Sequence, residues 1–190
     1  MSTVDKFPRG LIDLIKVSKY VHVATCSSSC VPSVSLMNYI YISSSDSFDP
    51  TDNNDYVIFA TSRHSEKYEN MLANPTISLL FHDWLAANSL TPKKATAPSP
   101  SSPSSSNNAR FVNLLQDLTE GELNQISASI RGVAEIINPL GQESKYYKRL
   151  LLRANPDADV FILGSDTVLI KVKMRSAKVS DIDNNTNIYI

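Results

Sequence analysis

The sequence predicts a mainly β fold with a few short helices on its periphery, and three observations carry that prediction. Apolar and polar residues alternate with a period of two in segments from Tyr20 to Phe81 and again from Ile126 to Arg175. Helical spacing is confined to short stretches between them. With about seven strands and so few helices, mostly antiparallel pairing is the natural arrangement. A small barrel with helices packed on its outside satisfies this pattern, and so does a sandwich.

Taken in order, Phe7 to Tyr20 sets Leu11, Ile12, Leu14, Ile15 and Val17 at the spacing of an amphipathic helix. Tyr20 to Thr25 alternates as a strand, Ser27 to Ser29 turns the chain, and Val31 to Ile42 is a second strand. One face of that strand carries Val34, Leu36, Asn38 and Ile40, the other Ser33, Ser35, Met37, Tyr39 and Tyr41. Ser43 to Asn54 is a polar loop. Tyr56 to Thr61 is a third strand and Ser65 to Leu72 a short helix. Asn74-Pro75 stops the helix, because the residue before proline resists helical ψ. Ile77 to Phe81 is a fourth strand.

Further on, Phe111 to Leu118 has helical spacing and Thr119 to Leu123 reads as a turn. Ile126 to Ile137 is a long strand, with Ile126, Ala128 and Ile130 facing one way and Ser127, Ser129 and Arg131 the other. Asn138-Pro139 supplies a cap and a proline for a helix leading into Glu143–Arg153. Val160 to Leu163, the turn Gly164-Ser165-Asp166, and Thr167 to Arg175 read as a closing hairpin. In its second arm Val168, Ile170, Val172 and Met174 face inward, and Lys171, Lys173 and Arg175 face water.

Residues 1–190 fall near the usual size of one domain and are read as a single unit. Residues 86–109 interrupt it: they are rich in Ser and Pro, lack aromatics, and bury too little apolar area to offset their ordering entropy. They are expected to form a disordered insertion between two strands rather than a linker between domains. A composition of 42% apolar and 19% charged residues is that of a soluble globular chain. Lys+Arg 18 against Asp+Glu 19 argues against electrostatic capture of nucleic acid. No apolar run approaches the roughly 20 residues that span a bilayer, and the start lacks the order of a secretion signal. The expected location is the cytoplasm, with entry to the nucleus by diffusion.

Cys26 and Cys30 are too few for a disulfide scaffold and are read as reduced bystanders. Asn184-Asn185-Thr186 matches a glycosylation acceptor, a coincidence in a chain without a secretion signal. His22, His64 and His82 lie on separate elements without ligand spacing, so no metal is expected.

The segment Tyr56-Val-Ile-Phe-Ala-Thr61-Ser62-Arg63-His64-Ser65-Glu66-Lys67 is the most informative. A strand ends at a cluster of hydroxyls and cations that opens a helix, where unpaired N–H groups carry partial positive charge. Thr61, Ser62 and Ser65, with Arg63 and Lys67, make an anion pocket suited to a phosphate monoester. The same pattern also serves an ordinary N-capped helix.

The order of motifs supplies more. A strand ending Ala60-Thr61 is followed by Ser62-Arg63-x-Ser65-x-Lys67. Next come Asn70-x-Leu72-x-Asn74-Pro75-x-Ile77-Ser78-Leu79-Leu80-Phe81 and, later, Arg131-Gly132-x-Ala134-Glu135. This series resembles the pyridoxamine 5′-phosphate oxidase-like FMN-binding split-barrel family over roughly Leu11 to Val172. The resemblance implies a split barrel, a homodimer with flavin at its interface, FMN as cofactor and a small-molecule substrate. It places Val34, Ser35, Leu36, Met37 and Asn38 along the flavin ring and ribityl chain. Ala60 and Thr61 lie beside the ribityl phosphate, and Arg63, Ser65 and Lys67 hold it. Ser127 and Arg131 meet the cofactor from the partner subunit, Arg131 as a cation near the pyrimidine end.

The chain departs from the vitamin B6 enzyme of that family at telling places. Where the family carries an arginine opening the second strand and a lysine closing its flavin-contacting segment, this chain has Ser33 and Asn38. The substrate-phosphate set has no clean counterpart, although Tyr146, Tyr147 and Arg149 fall in that region, and the closing Arg-x-His and Trp motifs are absent. No catalytic side chain is identified. Three readings remain open: an FMN oxidoreductase, a non-catalytic flavin- or heme-binding carrier or sensor of the same fold, and a cofactor-free structural relic.

Overall fold

The computed structural model describes residues 7–82, 126–181 and 183–190. The expected insertion at 86–109, the stretch Phe111 to Leu118 and the turn at Thr119 lie outside the described residues. A helix α1 (Arg9–Val17) leads into β1 (Tyr20–Cys26) and β2 (Pro32–Ile42). Then come β3 (Tyr56–Ser62), α2 (Glu66–Ala73) and β4 (Thr76–His82). After the gap follow β5 (Ser127–Ile136), α3 (Gln142–Ala154), α4 (Asp159–Ile162), β6 (Thr167–Ser180) and β7 (Thr186–Tyr189).

Every strand pairing is antiparallel. The order β3-β2-β1-β4-β5-β6 closes on itself because β6 also pairs with β3, making a six-stranded barrel with β7 added beside β6. That decides between barrel and sandwich. Closure depends on β6, whose 14 residues pair with β3 through Thr167–Lys173 and with β5 as far as Ser180. A bulge sets Arg131 opposite Ser176 but Gly132 opposite Met174, leaving Arg175 as the extra residue that bends the long strand.

Inside the barrel, Val21, Val23, Phe59, Leu79, Phe81, Ile130, Ile170 and Val172 form one buried cluster. Leu11, Leu14 and Ile15 of α1 and Met71 of α2 extend it. A second cluster covers the outer side of β2, β3 and β6, where Ile40, Ile58, Ala60 and Leu169 pack under Tyr147, Leu151 and Ile162 of α3 and α4. The outer side of β2's first half, β1, β4 and β5 carries no such helical cover among the described residues.

Four details differ from the sequence reading. Residues 160–163 are not a strand: Asp159–Ile162 is a short helix, Asp159 accepts from the Val160 N–H, and only Ile162 points into the core. The closing hairpin is therefore β6–β7, and β7 falls in a tail too polar to show strand alternation. Asn138 caps a turn at Leu140 rather than the helix, whose N-cap is Gly141. Lys171 does not face water: it lies under α3, bonded to Glu143.

Candidate functional site

The barrel is split beside β2. Its first half, Pro32–Asn38, pairs with β1 on one edge. On the other edge β3 joins only from Tyr39 onward. The end of β3, Ala60–Ser62, keeps its pairing with Leu169, Val168 and Thr167 of β6 on its far edge but has no partner residue in β2. Alternate residues of Pro32–Asn38 therefore direct backbone N–H and C=O groups into an open cleft with no strand partner among the described residues. Such an edge offers backbone donors and acceptors to an external partner without needing a particular side chain.

The β3–α2 junction lies at the Ser33 end of this cleft, since the Ser33 hydroxyl donates to Glu66 Oε2 at 3.3 Å. Within the junction, the Thr61 and Ser65 hydroxyls are 2.9 Å apart, and Ser65 donates to the Ser62 carbonyl at 2.8 Å. Ser65 also accepts from the Tyr68 N–H, so its hydroxyl serves as the N-cap of α2. The N-cap reading and the anion-pocket reading thus share a residue. The N–H groups of Glu66 and Lys67 have no acceptor among the described residues, and neither Arg63 nor Lys67 has an ion-pair partner among them. Arg63 is exposed, anchored only by its backbone N–H to the Asp166 carbonyl at 2.9 Å. Helix α2 is held against β1 by the buried bond from Asn70 Nδ2 to Thr25 Oγ1, 3.0 Å.

The sequence-derived residues separate into groups. Thr61, Arg63, Ser65 and Lys67 come together at the junction, and buried Ala60 lies under α4. Ser35 and Met37 turn toward the barrel interior. Val34 and Leu36 point outward and are 67% and 56% exposed, too much for a barrel's own surface to require. Register sets Val34 in one row with Ala24, Ser78 and Arg131, so Arg131 shares this outward face. Ser127 lies on it opposite His82, and Leu80, two residues before His82 on the same face, is 40% exposed. Arg131 and Ser127 are thus on the same face as Val34 but three strands away.

Asn38 closes the head of the cleft and donates to Asn155 Oδ1 at 3.2 Å. It lines a groove of about 610 Å³ with Lys19, Tyr20, Tyr41, Asp157 and Phe161. Tyr146 and Tyr147 belong elsewhere: the Tyr147 hydroxyl accepts from the Phe48 N–H, and Tyr146 donates to the Asp46 carbonyl. They pin the loop after β2 to α3. His22 and His82, separate in sequence, stack with ring centroids 5.4 Å apart. Sequence reasoning missed Glu66 and Asn155. Glu66 had a signal, an acid inside a run of hydroxyls and cations; Asn155 had none.

The fold and this order of motifs agree with a known family. The sequence profile of pyridoxamine 5′-phosphate oxidase matches residues 11–162. The chain belongs to the pyridoxamine 5′-phosphate oxidase family. It is 50% identical over 197 residues to a Saccharomyces cerevisiae protein described as a pyridoxamine 5′-phosphate oxidase homolog, covering 100% of this chain and 97% of that one. Among solved structures, a heme-binding protein from Mycobacterium smegmatis shares the fold with TM-score 0.58 and 15% identity, over 96% of this chain and 58% of that one. A Clostridium acetobutylicum protein of the pyridoxinephosphate oxidase family matches with TM-score 0.54 and 14% identity, over 95% and 92% of the two chains. These two likenesses show the split-barrel fold. Among the described residues of this family member, no helix is long and apolar enough to cross a membrane.

Proposed function

We propose that the chain is an FMN-binding oxidoreductase resembling pyridoxine/pyridoxamine 5′-phosphate oxidase, acting as a homodimer with flavin at the interface. The observation that carries this reading is the unpaired backbone edge of Pro32–Asn38 ending at the Thr61–Lys67 junction. An edge of free N–H and C=O groups fits the isoalloxazine rim, and the free N–H groups of Glu66 and Lys67 with Arg63 fit its phosphate. Bound flavin would accept or return a hydride. The chain's own part is to hold and orient the ring, keep one face open to a small-molecule substrate, and exclude water.

The outward face supports the homodimer. Val34 and Leu36, with Leu80 across His22, present exposed apolar side chains on one face, and a second copy covering it would bring Ser127 and Arg131 to the other subunit's cleft. A cation there stabilises reduced, anionic flavin. Residues 1–190 would act as one domain.

A second reading is a non-catalytic flavin- or heme-binding carrier or sensor. It is favoured by the neutral Ser33 and Asn38, the latter bonded to Asn155. Denaturing purified protein and measuring released flavin and heme separates the cofactors. Adding pyridoxamine 5′-phosphate under air and assaying peroxide then separates enzyme from carrier. Colourless protein that takes up no FMN would refute both flavin readings.

A further inference from the structure

The acid that sequence reasoning passed over lies in the middle of the phosphate end. Glu66 is the first residue of α2, and its carboxylate is tethered to β2 by the Ser33 hydroxyl at 3.3 Å. Its backbone N–H is one of the two left without an acceptor, and Arg63 and Lys67 flank it in sequence without pairing to it. A carboxylate at a helix start is favourable for the helix. Beside a phosphate monoester, which carries about −1.5 to −2 charge at neutral pH, it is repulsive. Both effects act on one side chain with opposite signs.

We infer that Glu66 is a specificity-determining residue of the cleft, selecting against a dianionic terminal group on the bound flavin and narrowing the preference for FMN over riboflavin. This inference rests on the flavin reading above. Ser33 contributes by tethering the exposed carboxylate to its end of the cleft. Arg63, Lys67 and the two N–H groups attract the phosphate while Glu66 opposes it, so the net preference is set by a difference rather than a sum. A neutral ribityl terminus loses the attraction but meets no repulsion.

The test titrates the full-length protein with FMN and with riboflavin, following quenching of flavin fluorescence, in the wild type, Glu66→Gln and Ser33→Ala. Glu66→Gln should bind FMN about tenfold more tightly, with riboflavin affinity changed by no more than about twofold. Its melting midpoint should fall slightly, because the helix loses a favourable charge. A merely structural Glu66 predicts lower stability with lower or equal FMN affinity. Ser33→Ala should shift FMN affinity in the same direction by a smaller factor. Unchanged or weaker FMN binding by Glu66→Gln would overturn the inference while leaving the flavin reading standing. Wild-type protein that binds neither flavin would instead bring down the reading beneath it.

Discussion

Asn155 holds Asn38 in one orientation. The Asn155 amide donates to the carbonyls of Tyr39 and Leu151, at 3.1 and 3.2 Å, which leaves only its oxygen to face Asn38. Asn38 must answer with its Nδ2, so its own oxygen is turned outward as an acceptor at the head of the cleft. Replacing Asn155 with Ala removes the C-cap contact of α3 and strips the Tyr39 carbonyl of a donor. The expected cost is about 1–3 kcal/mol, read as a shift in urea midpoint. Asn38→Ala should cost less than Asn155→Ala, and the reverse order would show that the pair is held from β2 rather than from α3.

Gly132 sits at the bulge between β5 and β6. A Cβ there would lie 2.5 Å from Val172 Cγ1 and 3.0 Å from the Lys173 carbonyl oxygen. The first is a core methyl and the second is backbone, so neither can swing aside. Gly132→Ala should destabilise by about 1–3 kcal/mol through overpacking, and adding Val172→Ala should recover little, because the backbone contact stays. Thermal melts of the two variants decide this.

Lys171 is the half-hidden charge of the outer layer. Its ammonium bonds Glu143 at 2.8 Å and lies 3.6 Å from Glu135. Removing Glu143 leaves the half-buried ammonium with only the longer contact to exposed Glu135, whereas removing Glu143 and Lys171 together leaves apolar packing under α3. Glu143→Leu should therefore lose about 1–3 kcal/mol, and Glu143→Leu with Lys171→Met should regain most of it. Additive losses in the double variant would contradict this account.

Alkali should weaken the fold. Burial pushes the Tyr39 hydroxyl well above the ordinary tyrosine value of 10.0, although its bond to Ser18 pulls the other way. Burial, then the neighbouring Asp55 and Asp52 carboxylates, raise Tyr41 and Tyr56 likewise. For Lys171, burial lowers the pKa, but the Glu143 bond and the charges of Glu143 and Glu135 outweigh it and set it above 10.5. In all four the folded chain holds its proton more tightly than the unfolded chain. Their stabilisation is therefore complete below about pH 10 and drains away as pH rises through the raised values. Urea midpoints should be flat from about pH 7 to 9 and fall beyond about pH 10; a rise there would contradict the sign.

Much of the barrel was legible because its strands are half-buried, and half-burial writes itself as alternation. The inward set Val168, Ile170, Val172 and Met174 of β6 is as the pattern predicts. Legibility failed where burial is two-sided or absent. Lys171 looks like a water-facing residue until α3 lies over it, a tertiary fact with no local signal. Asp159–Ile162 is too short to show a helical period, and β7 is paired through its backbone while Asn187 and Ile188 remain exposed. The junction at Thr61–Lys67 was legible as chemistry, because hydroxyls and cations at a strand end have few local uses. The cleft was not, since it arises where β3 ends its pairing with β2 while keeping β6, a pairing choice invisible in either strand.

Arg63→Ala combined with Lys67→Ala tests the phosphate end. Two charge-assisted contacts, worth about 1.5–3 kcal/mol each, would be lost. FMN affinity should fall at least tenfold while riboflavin affinity holds, as fluorescence titration would read. Equal losses for both ligands would place these cations away from the phosphate.

The most direct measurement is a crystal structure of the protein grown with FMN. The account predicts ring density along the backbone of Val34 to Met37 and phosphate density against the N–H groups of Glu66 and Lys67, within reach of Arg63. Phosphate density at any other place, or no flavin in the cleft at saturating FMN, would contradict it.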